Sequence, residues 1–454
     1  MRGGRNVRSP RPSHRGAVDH QAAACYAAGS NTVGVGRTAA ELLARLREGL
    51  TKIGSRATVA PLPEARLPGI ITPAIAVAPV DADDLRVVIG AASEFGLALV
   101  PRGAGTQDTW GHPIQRPAVV VDMRRLTGLI AYTPGDLTLR ARAGTTLREI
   151  NTLLRPHGQF VPLEAPGPDA TLGGLVAGDQ CGPCRSAYGA PRDLILGLSV
   201  IDGSGRAFRT GGNVVKNVSG LDIGKLLIGS FGTLGFITEV ACKVRPLPAV
   251  TAHWGLEWPQ DQPALALFAD GLGVAPAGVV LHGDGDGCRL ILRLEGSGAE
   301  VGAQRSRLEA IAGRGRPLAD AAEVFASLAA TAAEPGAIRL RVSVGSDPRP
   351  VWEAASRCLP GCARTLWSGA GLLHLRWTAP DSADAASAGL RAFGLAAAAA
   401  EATVVVAECP SELRERAGLD PWGAAGPLAA VFDRIKGAFD PDRRMAPGRF
   451  VGRL

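Results

Sequence analysis

The sequence predicts an α+β protein in which a domain organised around two glycine loops precedes a smaller α+β domain with a mixed or antiparallel sheet. The first loop, Arg-Gly-Ala-Gly-Thr at 102–106, separates two apolar stretches with strand character at 97–100 and 119–122. The second loop, residues 165–174, follows further along the chain. Backbone N–H groups of such loops can approach a phosphate closely. Because a Rossmann site needs a helix directly after its glycine loop, the strand–loop–strand order indicates a phosphate-bearing cofactor held by another fold.

Length and composition fit a cytoplasmic globular protein of two or three domains. The chain has 454 residues, 46% of them apolar and 20% charged, with 59 glycines. Of the net charge of +7, five arginines and one aspartate among the first nineteen residues contribute +4, so nucleic-acid binding is not expected. No run of eighteen apolar residues exists, which argues against a membrane span. Eight cysteines in a chain of this length fit a reducing cytosol.

In the first domain, helices and strands are predicted from apolar periodicity and capping signals. Residues 81–96 place apolar side chains on one helical face. Thr146 and Glu149 form a capping box that starts a second helix. Asp202-Gly203-Ser204-Gly205 is the turn of a β-hairpin that spans 193–210. Further predicted elements are a helix at 39–50 and strands at 70–79 and 137–143.

A change of character near residues 246–248 marks the start of the second domain. Strands are predicted at 289–294, 338–344 and 372–377, helices near 299–312, 349–358 and 383–400, and a final helix at 428–439. Residues 1–35 lack the apolar core of a secretory signal and are expected to form a disordered tail, with a transit peptide as the alternative. The predicted division is the tail at 1–35, a cofactor-binding domain at 36–250, a cap domain at 251–410, and a C-terminal helix and tail at 411–454 that return to the cofactor domain.

Several motifs in a fixed order carry a family resemblance. They lie at 101–106, 170–177, 192–197, 211–222, 229–239 and 439–449. Together they resemble the vanillyl-alcohol-oxidase-type, or PCMH-type, flavoproteins, and most closely the accessory FAD-binding subunit of bacterial glycolate oxidase. The resemblance implies a two-subdomain PCMH-type FAD-binding domain plus a smaller α+β cap domain, with FAD as the cofactor.

The resemblance also implies which residues hold the FAD. The first loop would bind the pyrophosphate, the second would line the flavin side, and the strand that contains Ile237 would contact the adenine. Carried over to this sequence, the cofactor-binding residues are Arg102, Gly103, Ala104, Gly105, Thr106, Gly167, Ala170, Thr171, Gly173, Gly174, Gly178, Gly182, Lys216, Gly232 and Ile237.

The implied activity is that of an FAD-dependent oxidoreductase acting on CH–OH groups. The chain would be the FAD-binding subunit of a glycolate or D-2-hydroxy-acid dehydrogenase complex, which passes electrons from a small 2-hydroxy acid to the flavin and on to an iron–sulfur partner. It would assemble with a catalytic flavoprotein subunit, and it would reach the inner membrane only through its partners. Two alternatives stay open: an FAD-binding scaffold or electron relay without substrate oxidation of its own, and an oxidase of another alcohol or a sugar lactone. The sequence does not identify a catalytic residue.

Two motifs depart from known patterns. The catalytic subunits of this group carry a His-rich metal motif, whereas His282-Gly-Asp-Gly-Asp has no second histidine at the family spacing. A hairpin turn is therefore favoured over a metal site, and no metal is expected. Cys181-Gly-Pro-Cys184 is spelled like a thioredoxin motif but lacks its strand and helix context. Coincidence is favoured there over a disulfide switch beside the flavin.

Several charged residues have two readings from the sequence. Arg102 would contact the pyrophosphate or pair with an acid. Lys216 would stabilise reduced flavin or form a salt bridge. Arg293, Arg341 and Arg376 alternate with apolar residues on predicted strands, so they would bind a substrate carboxylate or lie on a solvated sheet face, and the solvated face is favoured.

Overall fold

The computed structural model describes residues 39–52, 54–61, 70, 74–212, 222–258, 273–285, 287–310, 316–330, 337–423 and 426–454. The chain divides into two units, Met1–Leu42 and Leu43–Leu454, and the three large sheets belong to the second. The predicted disordered tail at 1–35 and the predicted cofactor residue Lys216 lie outside the described residues.

A four-stranded sheet comes first and carries the first glycine loop. Its strand order is β1-β2-β4-β3, in which β1 is antiparallel to β2 and the other neighbours are parallel. Asp81 caps the helix before β3 by accepting a hydrogen bond from the N–H of Asp84. The elements are α1 (Ala39–Lys52), β1 (Thr58–Pro61), β2 (Ala74–Ala78), α2 (Ala82–Glu94), β3 (Ala98–Arg102) and β4 (Ala118–Asp122).

A five-stranded antiparallel sheet follows, in the order β5-β6-β10-β8-β9. The predicted capping box is present, because Thr146 and Glu149 each accept a hydrogen bond from the other's backbone N–H. The strands are β5 (Leu129–Thr133), β6 (Thr138–Arg142), β7 (Gln159–Phe160), β8 (Ile195–Ile201), β9 (Ala207–Gly211), β10 (Phe236–Lys243) and β11 (Arg245–Pro246), of which β7 and β11 pair separately. The helices are α3 (Leu147–Leu154), α4 (Leu172–Ala177), α5 (Arg185–Tyr188), α6 (Pro191–Leu194) and α7 (Gly224–Leu227).

An eight-stranded antiparallel sheet forms the core of the cap region. Its order is β15-β12-β14-β13-β17-β18-β16-β19. The strands are β12 (Val250–Trp258), β13 (Gly278–Gly283), β14 (Cys288–Gly296), β15 (Arg316–Pro317), β16 (Ile338–Ser343), β17 (Ala363–Trp367), β18 (Leu372–Trp377) and β19 (Thr403–Glu408). The helices are α8 (Gly298–Glu309), α9 (Ala321–Ala329), α10 (Arg349–Cys358), α11 (Ala383–Ala399) and α12 (Ser411–Ala417). The predicted α+β class and antiparallel cap sheet are confirmed.

The two faces of this sheet differ in chemistry. On β16 and β18, alternate residues such as Leu340, Leu373 and Leu375 belong to a buried cluster that includes residues of α8, α10 and α11. The residues between them, Arg341 and His374 among others, lie on the opposite face and line a cavity. Successive side chains of a strand point to opposite faces. The alternation of apolar and polar residues along each strand therefore places the apolar residues on the core face and the polar residues on the cavity face.

The C-terminal segment contacts the first sheet. Helix α13 (Ala429–Phe439) presents Lys436, whose Nζ donates to the carbonyl oxygens of Thr233 at 2.7 Å and Met445 at 2.6 Å. Beyond the helix, Leu99 of β3 donates to the carbonyl of Arg444 and accepts from the N–H of Ala446, both at 2.8 Å. None of the helices in the described ranges has the length and apolar character needed to cross a bilayer.

Candidate functional site

A cleft and a larger cavity lie side by side where the glycine loops meet the cap sheet. A cleft of about 100 Å³ is lined by the first loop, the second loop, residues 231–237 and Arg449. A larger cavity of about 510 Å³ is lined mainly by the polar face of the cap sheet. Thr106 and Gln107 line both, so the cleft and the cavity adjoin each other.

The first glycine loop offers backbone donors to the cleft. A Cβ atom on Gly103 would lie 2.2 Å from Oγ1 of Thr171, so the two loops can approach this closely only with glycine there. Gly105 has a φ of +78°, which glycine adopts without strain. The N–H groups of Ala104, Gly105 and Thr106 have no acceptor among the described residues. Unpaired N–H groups along a cleft are a suitable receptor for phosphate oxygens.

Arg102 pairs with an acid of its own loop. Its Nε donates to Oδ2 of Asp108 at 2.8 Å, and both side chains are largely buried. This ion pair closes the loop beneath the three free N–H groups. The acid-pairing alternative for Arg102 is therefore the one that the structure displays.

The second loop serves chiefly for close packing. The N–H of Gly173 donates to the carbonyl of Ala143 at 2.8 Å, and the N–H of Gly174 donates to Oγ1 of Thr171 at 3.3 Å. A Cβ on Gly173 would lie 2.7 Å from Cβ of Ala143. These glycines permit short backbone distances, and their N–H groups are already hydrogen-bonded.

The far wall of the cleft combines an aromatic residue with an arginine from the C-terminal segment. Phe231 has a φ of +52°, a conformation that is rare for a bulky residue, and its ring contacts Trp110 and Trp422. Arg449 donates to the backbone carbonyls of Gln107 at 3.0 Å and Asp108 at 2.9 Å. Through these two hydrogen bonds Arg449 braces the first loop at its C-terminal end. The sequence interpretation missed this role, although the motif at 439–449 had marked the segment.

Most of the predicted cofactor residues meet in the cleft. Those that line it are Arg102, Gly103, Ala104, Gly105, Thr106, Ala170, Thr171, Gly173, Gly174, Gly178, Gly232 and Ile237. Gly167 and Gly182 do not line it. A Cβ on Gly182 would lie 2.4 Å from Oε2 of Glu164, so this glycine is required by packing against that carboxyl group. Lys216 lies outside the described residues.

A row of polar side chains crosses the cavity face of the cap sheet. Five residues lie directly opposite one another on neighbouring strands, in the order Arg289, His282, Thr365, His374 and Arg341. His282 Nδ1 is 2.9 Å from Oγ1 of Thr365. All five line the cavity.

Arg341 differs from Arg289 and Arg339 in that it makes no ion pair within 4 Å of a described carboxylate, although Asp179 acts on it from further away. Arg289 lies 3.6 Å from a carboxylate oxygen of Asp284, and Arg339 lies 2.8 Å from Glu408. Arg341 makes no ion pair with a described residue, its Nε is shielded from water without a hydrogen-bond partner, and its guanidinium lies 4.7 Å from the Trp110 ring centroid. Burial lowers the pKa of Arg341 from its usual value.

The favoured prediction of a solvated face is therefore wrong for two of the three arginines. Arg341 lines the cavity, and the half-buried Arg293 forms an ion pair with Glu295 at 2.6 Å. The cause is that loop residues distant in sequence, including Trp110 and Cys181, cover this face. Arg376 also lines the cavity, although its side chain is exposed.

Two further cavity residues carry buried polar atoms without partners. Nε2 of His374 and Nε1 of Trp367 have no hydrogen-bond partner among the described residues. Their ring centroids are 4.0 Å apart. Burial, followed by the charges of Arg341 and Arg339, lowers the pKa of His374 to about 3. Buried polar groups without partners are costly in a folded protein, so this end of the cavity is suited to a polar ligand.

The two departing motifs have separate structural settings. Gly283 pairs with Cys288 across β13 and β14, so the His282 motif begins a hairpin turn as predicted. Among the described residues no group of three His, Cys, Asp or Glu side chains is placed to hold a metal. Cys181 and Cys184 are both free thiols, and burial raises the pKa of each. The disulfide alternative has no counterpart in this structure.

Comparisons with known proteins agree with the cleft. A family described as FAD binding domain matches residues 73–211. Glycolate oxidase subunit GlcE of Escherichia coli (strain K12) is 35% identical over 63% of this chain and 77% of that protein. Glycolate oxidase subunit GlcD of Bacillus subtilis (strain 168) is 30% identical over 39% of this chain and 38% of that protein. The crystal structure of p-cresol methylhydroxylase with substrate bound has a TM-score of 0.68 at 16% identity, over 92% of this chain and 97% of that one. The last likeness confirms the predicted PCMH-type fold.

Proposed function

Since the chain belongs to the FAD-binding flavoprotein family that includes the glycolate oxidase subunit GlcE, and is an FAD-dependent oxidoreductase, we propose that it oxidises a small 2-hydroxy acid such as glycolate or D-lactate. FAD would lie in the cleft, with its pyrophosphate at the free N–H groups of Ala104, Gly105 and Thr106. The substrate would lie in the adjoining cavity. When bound, FAD accepts the hydride that leaves the hydroxyl-bearing carbon.

Arg341 is the observation that supports this substrate class. Its guanidinium lines the cavity without a described acidic partner, whereas Arg289 and Arg339 are paired with carboxylates. Guanidinium groups bind carboxylates by paired hydrogen bonds. A carboxylate would compensate the buried charge of Arg341, whereas a neutral alcohol or a sugar lactone would leave it uncompensated.

The test is anaerobic reduction of the purified, FAD-loaded protein by glycolate and D-lactate, followed by absorbance. The wild-type flavin band should bleach. Arg341→Met should bind the acids about 10- to 100-fold more weakly, because it loses a charge-assisted hydrogen bond. Arg289→Met, whose charge is already paired, is the matched control and should change binding less than about threefold.

The second candidate is an FAD-binding scaffold or electron relay that leaves oxidation to a partner. It is favoured by the single histidine in the His282 motif, where the catalytic subunits of this group have more. If the flavin of the isolated protein stays oxidised with every hydroxy acid, and bleaches only when a catalytic flavoprotein subunit is added, the scaffold is correct. If sugar lactones or simple alcohols bleach the flavin band and 2-hydroxy acids do not, the proposed substrate class is wrong and those compounds take its place.

We extend the proposal to assembly and to domain limits. GlcE and GlcD are named as subunits of glycolate oxidases, which supports a cytoplasmic complex with a catalytic flavoprotein subunit and an iron–sulfur subunit. Domains at 36–250, 251–410 and 411–454 are supported by β12, which begins the cap sheet at Val250. Affinity purification of the tagged chain from its native cell tests the assembly: an iron–sulfur protein should co-purify in stoichiometric amount. Limited proteolysis tests the domain limits.

A further inference from the structure

The proton released by the hydroxyl group needs an acceptor, and the cavity contains few candidates. Oxidation of a 2-hydroxy acid to a 2-oxo acid releases one hydride from carbon and one proton from oxygen. His282 is engaged with Thr365 at 2.9 Å and lies 3.4 Å from Asp284. His374 makes no hydrogen bond through Nε2 to any described residue and lies next to Arg341, on the same face of the sheet.

The placement of Arg341 directly opposite His374 suits a 2-hydroxy acid. The two residues are directly opposite each other on the antiparallel strands β16 and β18. Such residues have Cβ atoms about 4.5–5.5 Å apart. The hydroxyl-bearing carbon of a 2-hydroxy acid is bonded directly to its carboxylate. A carboxylate held by Arg341 therefore places the hydroxyl group within reach of the neighbouring imidazole.

We propose that His374 accepts the hydroxyl proton of the substrate, and that it becomes able to do so only when the substrate carboxylate lies on Arg341. This inference rests on the proposed 2-hydroxy-acid activity. In the step, the O–H bond breaks, its proton goes to a ring nitrogen of His374, and the oxygen forms the carbonyl as the hydride departs to the flavin. The products are a 2-oxo acid, reduced flavin and a protonated imidazole.

The charges around His374 explain the dependence on substrate. Arg341 and Arg339 face it from β16, Arg376 lies two residues away on its own strand, and His282 lies beyond Thr365. The other titratable groups among the described residues of the cavity wall are Glu323 of α9, Cys181, Asp284 and Arg289. Without ligand, burial and the nearby cations keep His374 neutral and its pKa low. A bound carboxylate adds a negative charge beside it, which raises that pKa and favours proton uptake.

The inference predicts proton uptake when an unreactive carboxylate binds. Oxamate is titrated into the FAD-loaded protein at pH 5.5 by calorimetry in MES and in piperazine buffer, since the difference between the buffers reports protons. Wild-type protein should take up a fraction of a proton per oxamate, up to roughly 0.8, because a carboxylate beside the ring raises the pKa of His374 by about 1–3 from its value of about 3. His374→Gln should still hold FAD and bind oxamate but take up none. Its flavin should be reduced by glycolate about 10²- to 10⁴-fold more slowly, as expected for loss of a general base.

His282→Gln is the matched control, because it removes a second cavity histidine two strands away, and it should keep the proton uptake. If the wild type binds oxamate without taking up a proton, this inference is wrong and the proposed substrate class still stands. The same holds if both His374→Gln and His374→Asn still take up a proton on binding oxamate. Failure of the wild type to bind any carboxylate overturns the proposed substrate class and this inference with it. If neither His374 variant folds, the wild-type titration still decides whether binding is coupled to a proton.

Discussion

Gly103 controls how closely the two glycine loops approach each other. Its Cα faces Oγ1 of Thr171, and an added Cβ would lie 2.2 Å from that oxygen. Thr171 also caps α4 through the N–H of Gly174, so it is not free to move aside. A methyl group at position 103 must therefore displace one loop from the other.

Gly103→Ala should lower the FAD content of the purified protein at least about tenfold, since displaced loops cannot offer their N–H groups in place. FAD released by denaturation and measured by absorbance gives the occupancy. Gly167→Ala is the control, because a Cβ at 167 would meet nothing within 4 Å. Equal FAD contents in the two variants would contradict the role assigned to Gly103.

At this scale the sequence drew attention to the loop but not to the cavity. Residues 102–106 stood out because a loop whose backbone can approach a phosphate needs small residues in direct succession, and in the structure they line the cleft. The alternation of Arg341 with Leu340 and Val342 was equally visible. Whether that polar face meets water or a cavity depends on Trp110, which is distant in sequence but covers Arg341 in the fold. Periodicity along one strand contains no information about such coverage.

Among the elements, α13 is held to the first sheet by a buried charge. Lys436 and Asp440 are 2% and 0% exposed and lie 2.8 Å apart. Asp440 also accepts hydrogen bonds from the N–H groups of Arg444 and Met445. This pair therefore fixes the turn after the helix and, through Met445, the contact with β3.

Lys436→Met should destabilise the protein by about 3–5 kcal/mol, because it leaves the Asp440 carboxylate buried without its partner. Urea denaturation followed by tryptophan fluorescence measures the change. Lys52→Met removes the exposed partner of Glu48, where the side chains are 72% and 63% exposed, and should change stability by less than about 0.5 kcal/mol. If Lys436→Met lowered the free energy of unfolding as little as the control does, the pair of Lys436 and Asp440 would be unimportant for stability.

Element prediction succeeded where local signals were strong. The capping box at Thr146 and the strand at 372–377 were located correctly. In the cap sheet, strands β12, β13, β17 and β19 were missed as individual elements. They pair with strands distant in the sequence, β12 with β14, β13 with β17 and β16 with β19, and such partners leave no mark in a local sequence window.

Across the whole molecule, a carboxyl group of the cofactor region lies close enough to the cap sheet to feel the charges of Arg293 and Glu295. Oε2 of Glu164 accepts a hydrogen bond from the N–H of Cys184 at 2.8 Å. Nearby, Tyr188 donates to Glu295 of β14. Burial raises the pKa of Glu164 above its usual value, in spite of the hydrogen bond from Cys184. Folding therefore shifts this group toward its protonated form, relative to the unfolded chain.

Glu164→Gln should stabilise the protein at pH 8 and have little effect near pH 4.5. A raised folded-state pKa contributes stability that is present below the unfolded value and is lost as pH rises through the folded value. Glutamine keeps the acceptor without the charge, so its advantage should grow with pH. Urea midpoints at several pH values from 4.5 to 8 test this, and an advantage that shrinks toward pH 8 would contradict it.

The brace from Arg449 to the first loop has a consequence for biosynthesis. The two partners are separated by 342 positions in the chain. A nascent polypeptide still lacking residue 449 cannot present a finished cleft, however well its earlier sheets have folded. Flavin incorporation is therefore expected to follow translation. The yellow colour of a preparation should then indicate the fraction of its molecules that contain residue 449.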